Sequence, residues 1–136
     1  DHEFTARADG LPGLESTYQF TMKEEKTIVM DNAIVYKALK EEQADIGMGF
    51  STDGRIQAFD LVNLVDDRAF FPAYNPAPNV RTAFAEANPQ IVDLLAKVAA
   101  KLDNDTIMQL NYQVDIEQKT PAEVAKTWLK SAGLTK

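Results

Sequence analysis

Cysteine is absent from this sequence, and histidine occurs once, as His2. The first absence removes disulfides, thiol catalysis and zinc–thiolate centres. The second leaves a multi-histidine metal site or a Ser-His-Asp triad with almost no material, so no metal and no cofactor is expected. Positive charge is also scarce: 14 Lys and Arg stand against 21 Asp and Glu, a formal net charge of −7. That field repels phosphate backbones, and the lysines are spaced singly along helical stretches, so no nucleic-acid partner is expected. Apolar runs last only a few residues, far short of a bilayer span. The opening DHEFTAR has no apolar core region of the kind a signal peptide carries, so an exported protein would contain this chain as one piece.

What is present suits a globular chain. Hydrophobic residues make up 45% of the 136, with six Gly, six Pro and no repeat or low-complexity run. One compact core is therefore expected, and disorder is not. Asp31 is placed to cap a helix in which Ile34, Ala38 and Leu39, with Val35 adjacent, recur at helical spacing, ending near Glu42. Residues 44–51 alternate apolar and small side chains like a buried strand. A short helix over Gly54–Phe59 should lead to a second strand at 61–65. Asn88 followed by Pro89, Asp103, and the Thr120-Pro121-Ala122-Glu123 capping box open three further helices, the last closed by Gly133. The first part reads as α/β and the remainder as helical cladding.

The stretch DDRAFFPAYNPAP, residues 66–78, is unlike a central strand, because proline fixes φ and cannot donate to a ladder. Its Phe70, Phe71 and Tyr74 either fill a core or deliver a ring to a pocket. Asp66 and Asp67 are adjacent, so in an extended segment they face opposite ways; one capping a turn and one solvated fits better than a paired acid. Ser51-Thr52-Asp53-Gly54 lacks the second Gly and the Lys of a phosphate loop, and a helix-entry turn explains it better. Phe50 ends a predicted strand, where open α/β sheets bind ligands. With Tyr74 it could face a quaternary ammonium, each desolvated ring contributing about 2 kcal/mol, or simply be core. Arg7 could clamp a carboxylate bidentately or pair with Asp9 on the surface.

Four ordered blocks narrow these readings. Phe4-x-x-Arg7-x-Asp9-Gly10-x-x-Gly13-Leu14 comes first, then Tyr36-x-Ala38-Leu39, then Phe50-Ser51-Thr52-Asp53-Gly54-Arg55-Ile56, then Leu64-x-Asp66-Asp67-x-x-Phe70-Phe71-Pro72-x-Tyr74. Together they resemble the glycine betaine/choline/carnitine substrate-binding proteins of ABC importers, osmoprotectant-uptake receptors of the type II periplasmic-binding fold. The resemblance runs along nearly the whole chain and covers only the C-terminal half of such receptors.

The resemblance implies an α/β, partial type II periplasmic-binding-protein-like fold. Residues 1–68 would be the remainder of the second lobe, 69–79 the return hinge, and 80–136 the helices that close the first lobe. It implies a non-enzymatic, extracytoplasmic binding domain for a quaternary-ammonium solute: glycine betaine, choline, carnitine or a related betaine. The ligand-binding set would be Arg7 on the carboxylate with Phe50 and Tyr74 as aromatic walls, and Phe4 and Thr52 in lesser roles. The partner would be an ABC permease, with membrane attachment by a lipid anchor or by fusion to the permease. Such a half leaves apolar faces and strand edges open, so the chain by itself could form a homodimer. A sensory domain of the same fold and a carboxylate-based enzyme are the alternatives.

Overall fold

The computed structural model describes residues 2–72 and 76–135. Among the described residues eight α-helices follow in order: α1 His2–Ala6, α2 Leu11–Tyr18, α3 Asn32–Lys40, α4 Gly54–Ala58, α5 Thr82–Ala87, α6 Pro89–Ala99, α7 Asn104–Asp115 and α8 Pro121–Ser131. The chain divides into two compact units. One comprises Asp1–Phe50 and Phe59–Ala73, the other Ser51–Ala58 and Tyr74–Lys136.

Most helix ends form as the sequence dictates. Asp31 accepts from Ala33 N at 2.8 Å and starts α3, and Asp103 does the same for Thr106 N at the head of α7. The Thr120–Glu123 box closes in both directions at the head of α8, and Gly133 follows that helix at φ +71°. Asn88 stands at the N-cap of α6 with Pro89 after it, as expected, but its side-chain amide donates to the Phe84 carbonyl at 2.9 Å and finishes α5, so α6 begins without a side-chain cap. On α3 the expected Val35 and Ala38 are buried and Leu39 is half-buried, with Tyr36 buried beside them, whereas Ile34 is exposed.

The two expected strands are the larger difference. Residues 46–50 and 61–66 run without helix or ladder, and no strand is present among the described residues. The α/β pattern is therefore not seen among the described residues. A ladder needs a neighbour whose N–H and C=O groups meet its own. In the second of these segments Val62, Leu64 and Val65 are 84%, 77% and 85% exposed, and successive side chains of an extended chain face opposite ways.

Among the described residues the buried apolar set is small: Val35, Tyr36, Ala38, Ile56 and Val124. In the second unit α4 packs on α7, and Gly54 makes this possible. A Cβ there would stand 2.6 Å from both Tyr112 N and Tyr112 Cα, backbone atoms that cannot rotate away. Trp128, on the same helix as buried Val124, is half-buried and lines a groove with Leu110 and Gln113 of α7.

Candidate functional site

The first unit holds three of the residues nominated from sequence. Phe4 lies on α1, and its ring stacks on that of Phe71 with centroids 6.4 Å apart and planes 19° apart. Phe71 in turn meets Phe70 edge-on at 4.9 Å, the favoured arrangement for two rings of negative face and positive edge. Part of the aromatic stretch is thus packed together, with Phe70 half-buried and Phe71 exposed.

Arg7 follows α1 and turns its fork onto Asp9. Nε donates to Oδ1 at 2.8 Å and a terminal nitrogen donates to Oδ2 at 2.5 Å. The guanidinium beside Asp9 holds that carboxyl below its ordinary range. Both side chains are largely in solvent. The geometry is that of bidentate carboxylate recognition.

Phe50 is anchored by its backbone and free at its ring. The Tyr36 hydroxyl accepts from Phe50 N at 2.7 Å and donates to Phe50 O at 3.2 Å. Tyr36 is 3% exposed and Phe50 is 60% exposed. Sequence reasoning assigned Tyr36 no role. The available signal was a tyrosine on the packed face of a helix, since a buried phenol needs a hydrogen-bond partner.

Asp66 organises the turn that precedes the proline-rich stretch. Its Oδ1 accepts from the Tyr18 hydroxyl at 2.5 Å and from Phe70 N at 3.0 Å, and its Oδ2 accepts from Phe71 N at 2.8 Å. The Tyr18 hydroxyl also accepts from Arg68 N at 3.1 Å. The Arg68 guanidinium lies 5.3 Å over the Tyr18 ring and donates to the Thr17 carbonyl. Tyr18's hydrogen bond, with the Phe71 amide, holds the Asp66 carboxyl below the usual range; the same bond pushes the Tyr18 phenol up. Within this turn Ala69 adopts φ +51°, a conformation that costs a non-glycine residue about 1–2 kcal/mol. Asp66 therefore caps the turn, and Tyr18 is the partner that sequence alone did not reveal.

Thr52 belongs to the second unit. Its carbonyl accepts from Asn111 Nδ2 at 2.8 Å, and Asp53 accepts from Arg55 N at 2.9 Å while holding the Arg55 guanidinium bidentately. The Ser51-Thr52-Asp53-Gly54-Arg55 motif thus starts α4 and seats it on α7. Tyr74 lies outside the described residues.

With this arrangement in view, comparison with known proteins defines the class. Residues 1–131 match the family described as the substrate-binding domain of ABC-type glycine betaine transport systems, and the chain belongs to that family. The "Glycine-betaine-binding protein" of Pseudomonas aeruginosa is 39% identical over 130 residues, covering 96% of this chain and 42% of that protein. The "Glycine betaine-binding protein YehZ" of Escherichia coli is 34% identical, covering 98% of this chain and 46% of that one. A solved structure titled "Crystal structure of glycine betaine/carnitine/choline ABC transporter" superposes with a TM-score of 0.81 at 33% identity, covering 98% of this chain and 48% of that one. The chain therefore has the fold of the corresponding part of these substrate-binding proteins, and it spans less than half their length.

Proposed function

We propose that this chain is the later half of a two-lobed extracytoplasmic receptor that captures a quaternary-ammonium solute and presents it to an ABC permease. Glycine betaine, choline, carnitine and related betaines are the ligand class. The family match along residues 1–131 carries this reading. The architecture is α/β of the type II periplasmic-binding kind, with 44–51 and 61–65 as strands whose neighbours lie in the rest of the receptor. Residues 1–68 form the remainder of the second lobe, 69–79 the return hinge and 80–136 the helices that close the first. The two-sided apolar exposure of Val62, Leu64 and Val65 supports the assignment of 61–65. Without those neighbours the chain self-associates, as uncovered strand edges and apolar faces do.

The binding set is Arg7, Phe50 and Tyr74, with Phe4 and Thr52 in supporting positions. Arg7 already holds a carboxylate in a two-point fork, and its exposed pair with Asp9 is of the weak kind that a ligand carboxylate can replace. Phe50 offers an exposed ring to a cation. Titration calorimetry on the intact receptor tests the reading, using wild type and Arg7→Ala with glycine betaine and choline. The expected result is a loss of at least about tenfold for glycine betaine with choline, which has no carboxylate, largely spared. Equal losses would remove Arg7 from the carboxylate site. Absence of binding to either ligand by the wild type would overturn the function.

A further inference from the structure

We propose that Tyr36 is a positioning residue that sets the direction of the Phe50 ring, and through it the affinity for a quaternary ammonium. The inference rests on the binding role proposed for Phe50. One hydroxyl engages both polar groups of the Phe50 backbone, accepting from N at 2.7 Å and donating to O at 3.2 Å. In a ladder those groups would be held by a neighbouring strand. Here the holder is a side chain rooted in α3, between buried Val35 and Ala38. The hydroxyl is therefore a fixed point.

Two glycines let the segment lie close enough to be held. A Cβ on Gly49 would stand 2.6 Å from the Tyr36 hydroxyl oxygen and 2.9 Å from Cζ. A Cβ on Gly47 would stand 2.5 Å from Val35 Cγ1 and 3.1 Å from Leu39 Cδ1. A side chain at position 49 would collide with the hydroxyl itself, and one at position 47 with Val35 and Leu39, so the segment or those side chains would have to shift. With the backbone held, the Cα–Cβ direction of Phe50 is set, and only its own side-chain torsions remain to aim the ring. Phe50 is 60% exposed, so neighbouring side chains do little to fix that ring from outside. Cation–π attraction needs a ring face near the ammonium. Ordering that face beforehand lowers the entropy cost at binding. Tyr36 thus acts on the ligand through Phe50 and touches no ligand atom itself.

The experiment is a double-mutant cycle in the intact receptor. Wild type, Tyr36→Phe, Phe50→Ala and the double variant are titrated with glycine betaine and tetramethylammonium, and Phe50 amide exchange is followed without ligand. Tyr36→Phe keeps the buried ring and deletes both bonds. We expect both ligands to bind roughly three- to tenfold more weakly, about the size of one net hydrogen bond. That loss should vanish in the Phe50→Ala background, and the Phe50 amide should exchange faster. Unchanged affinity, or an equal loss with and without the Phe50 ring, overturns the proposal. If Tyr36→Phe does not fold, Gly49→Ala displaces Phe50 from the hydroxyl and is read the same way. If wild type binds neither ligand, the proposed function falls, and the exchange measurement alone decides: faster exchange centred on Phe50 supports the positioning role, and unchanged exchange overturns it.

Discussion

The hydroxyl of Tyr18 donates to the carboxylate of Asp66 across 2.5 Å, joining residues 48 positions apart in the chain. The same carboxylate receives the amides of Phe70 and Phe71, so one contact ties the end of α2 to the turn that leads into the proline-rich stretch. Tyr18→Phe should loosen this turn and lower the denaturant midpoint. The pH dependence has a definite sign. Asp66 is held below the ordinary carboxylate value, so its contribution is present above that value, near 4, and is lost as pH falls through the folded one. Tyr18 is raised, so its contribution is complete below about pH 10 and lost as pH rises through its folded value. Denaturation of wild type and Tyr18→Phe should differ most between those limits and converge outside them. A constant gap from acid to alkali would assign the loss to packing.

Gly54→Ala should break the seating of α4 on α7. The added Cβ meets Tyr112 backbone atoms at 2.6 Å, and relief requires moving a helix. Overpacking of this kind costs about 1–3 kcal/mol, and a shift in urea midpoint reads it directly. A change within error would mean that α4 slides without cost.

Asn111→Ala probes the same junction by chemistry instead of volume. It deletes the bond from Nδ2 to the Thr52 carbonyl at 2.8 Å. A loss of about 1 kcal/mol is expected. Because Asn111 and Gly54 touch the same helix pair, their effects should fall short of additive; strictly additive losses would show that the two contacts act independently.

Thr120→Ala removes the hydroxyl half of the capping box on α8, the bonds with Glu123 N and Oε2, and leaves the residue-120 amide on the Glu123 carboxylate. About 1 kcal/mol should be lost, with lower helicity in the far-ultraviolet spectrum. Glu123 is held below its ordinary value by the Thr120 hydroxyl. The wild-type advantage should therefore shrink as pH falls below about 4. An advantage that persists in acid would place it in the hydroxyl alone.

The exposed run 61–65 should drive association of the isolated chain. Light scattering of the wild type is expected to show dimers or larger species as concentration rises. Val62→Lys with Val65→Lys should shift the distribution toward monomer, because charge on an open edge opposes pairing. A clean wild-type monomer over a wide concentration range would contradict this.

Local chemistry was legible wherever the controlling partner sits within a few residues. The caps at Asp31, Asp103 and Thr120 needed only their own first turns, and the Gly133 stop only its own φ. Asn88 and Pro89 mark the start of α6 as the sequence indicates, but two helices meet there and the Asn88 side chain serves the preceding one. The strand-like patterns at 44–51 and 61–65 record a preference for burial, and a ladder cannot form without a neighbour. Of the candidate site, the residue types and their order were visible: a guanidinium at Arg7, a ring at Phe50, and the Ser51–Arg55 entry turn.

Sequence by itself thus determined the family, the charge, the lack of thiol chemistry and the local helix signals. Tertiary structure decided which groups serve those residues. It brought Tyr36 under Phe50, Tyr18 onto Asp66, Phe4 onto Phe71 and Asn111 onto Thr52. The physical reason is separation along the chain. A cap is chosen by the φ and ψ of its own few residues, whereas a hydroxyl finds a backbone 14 positions away, or a carboxylate 48 away, only after helices and close-packed glycines have set the distance between them.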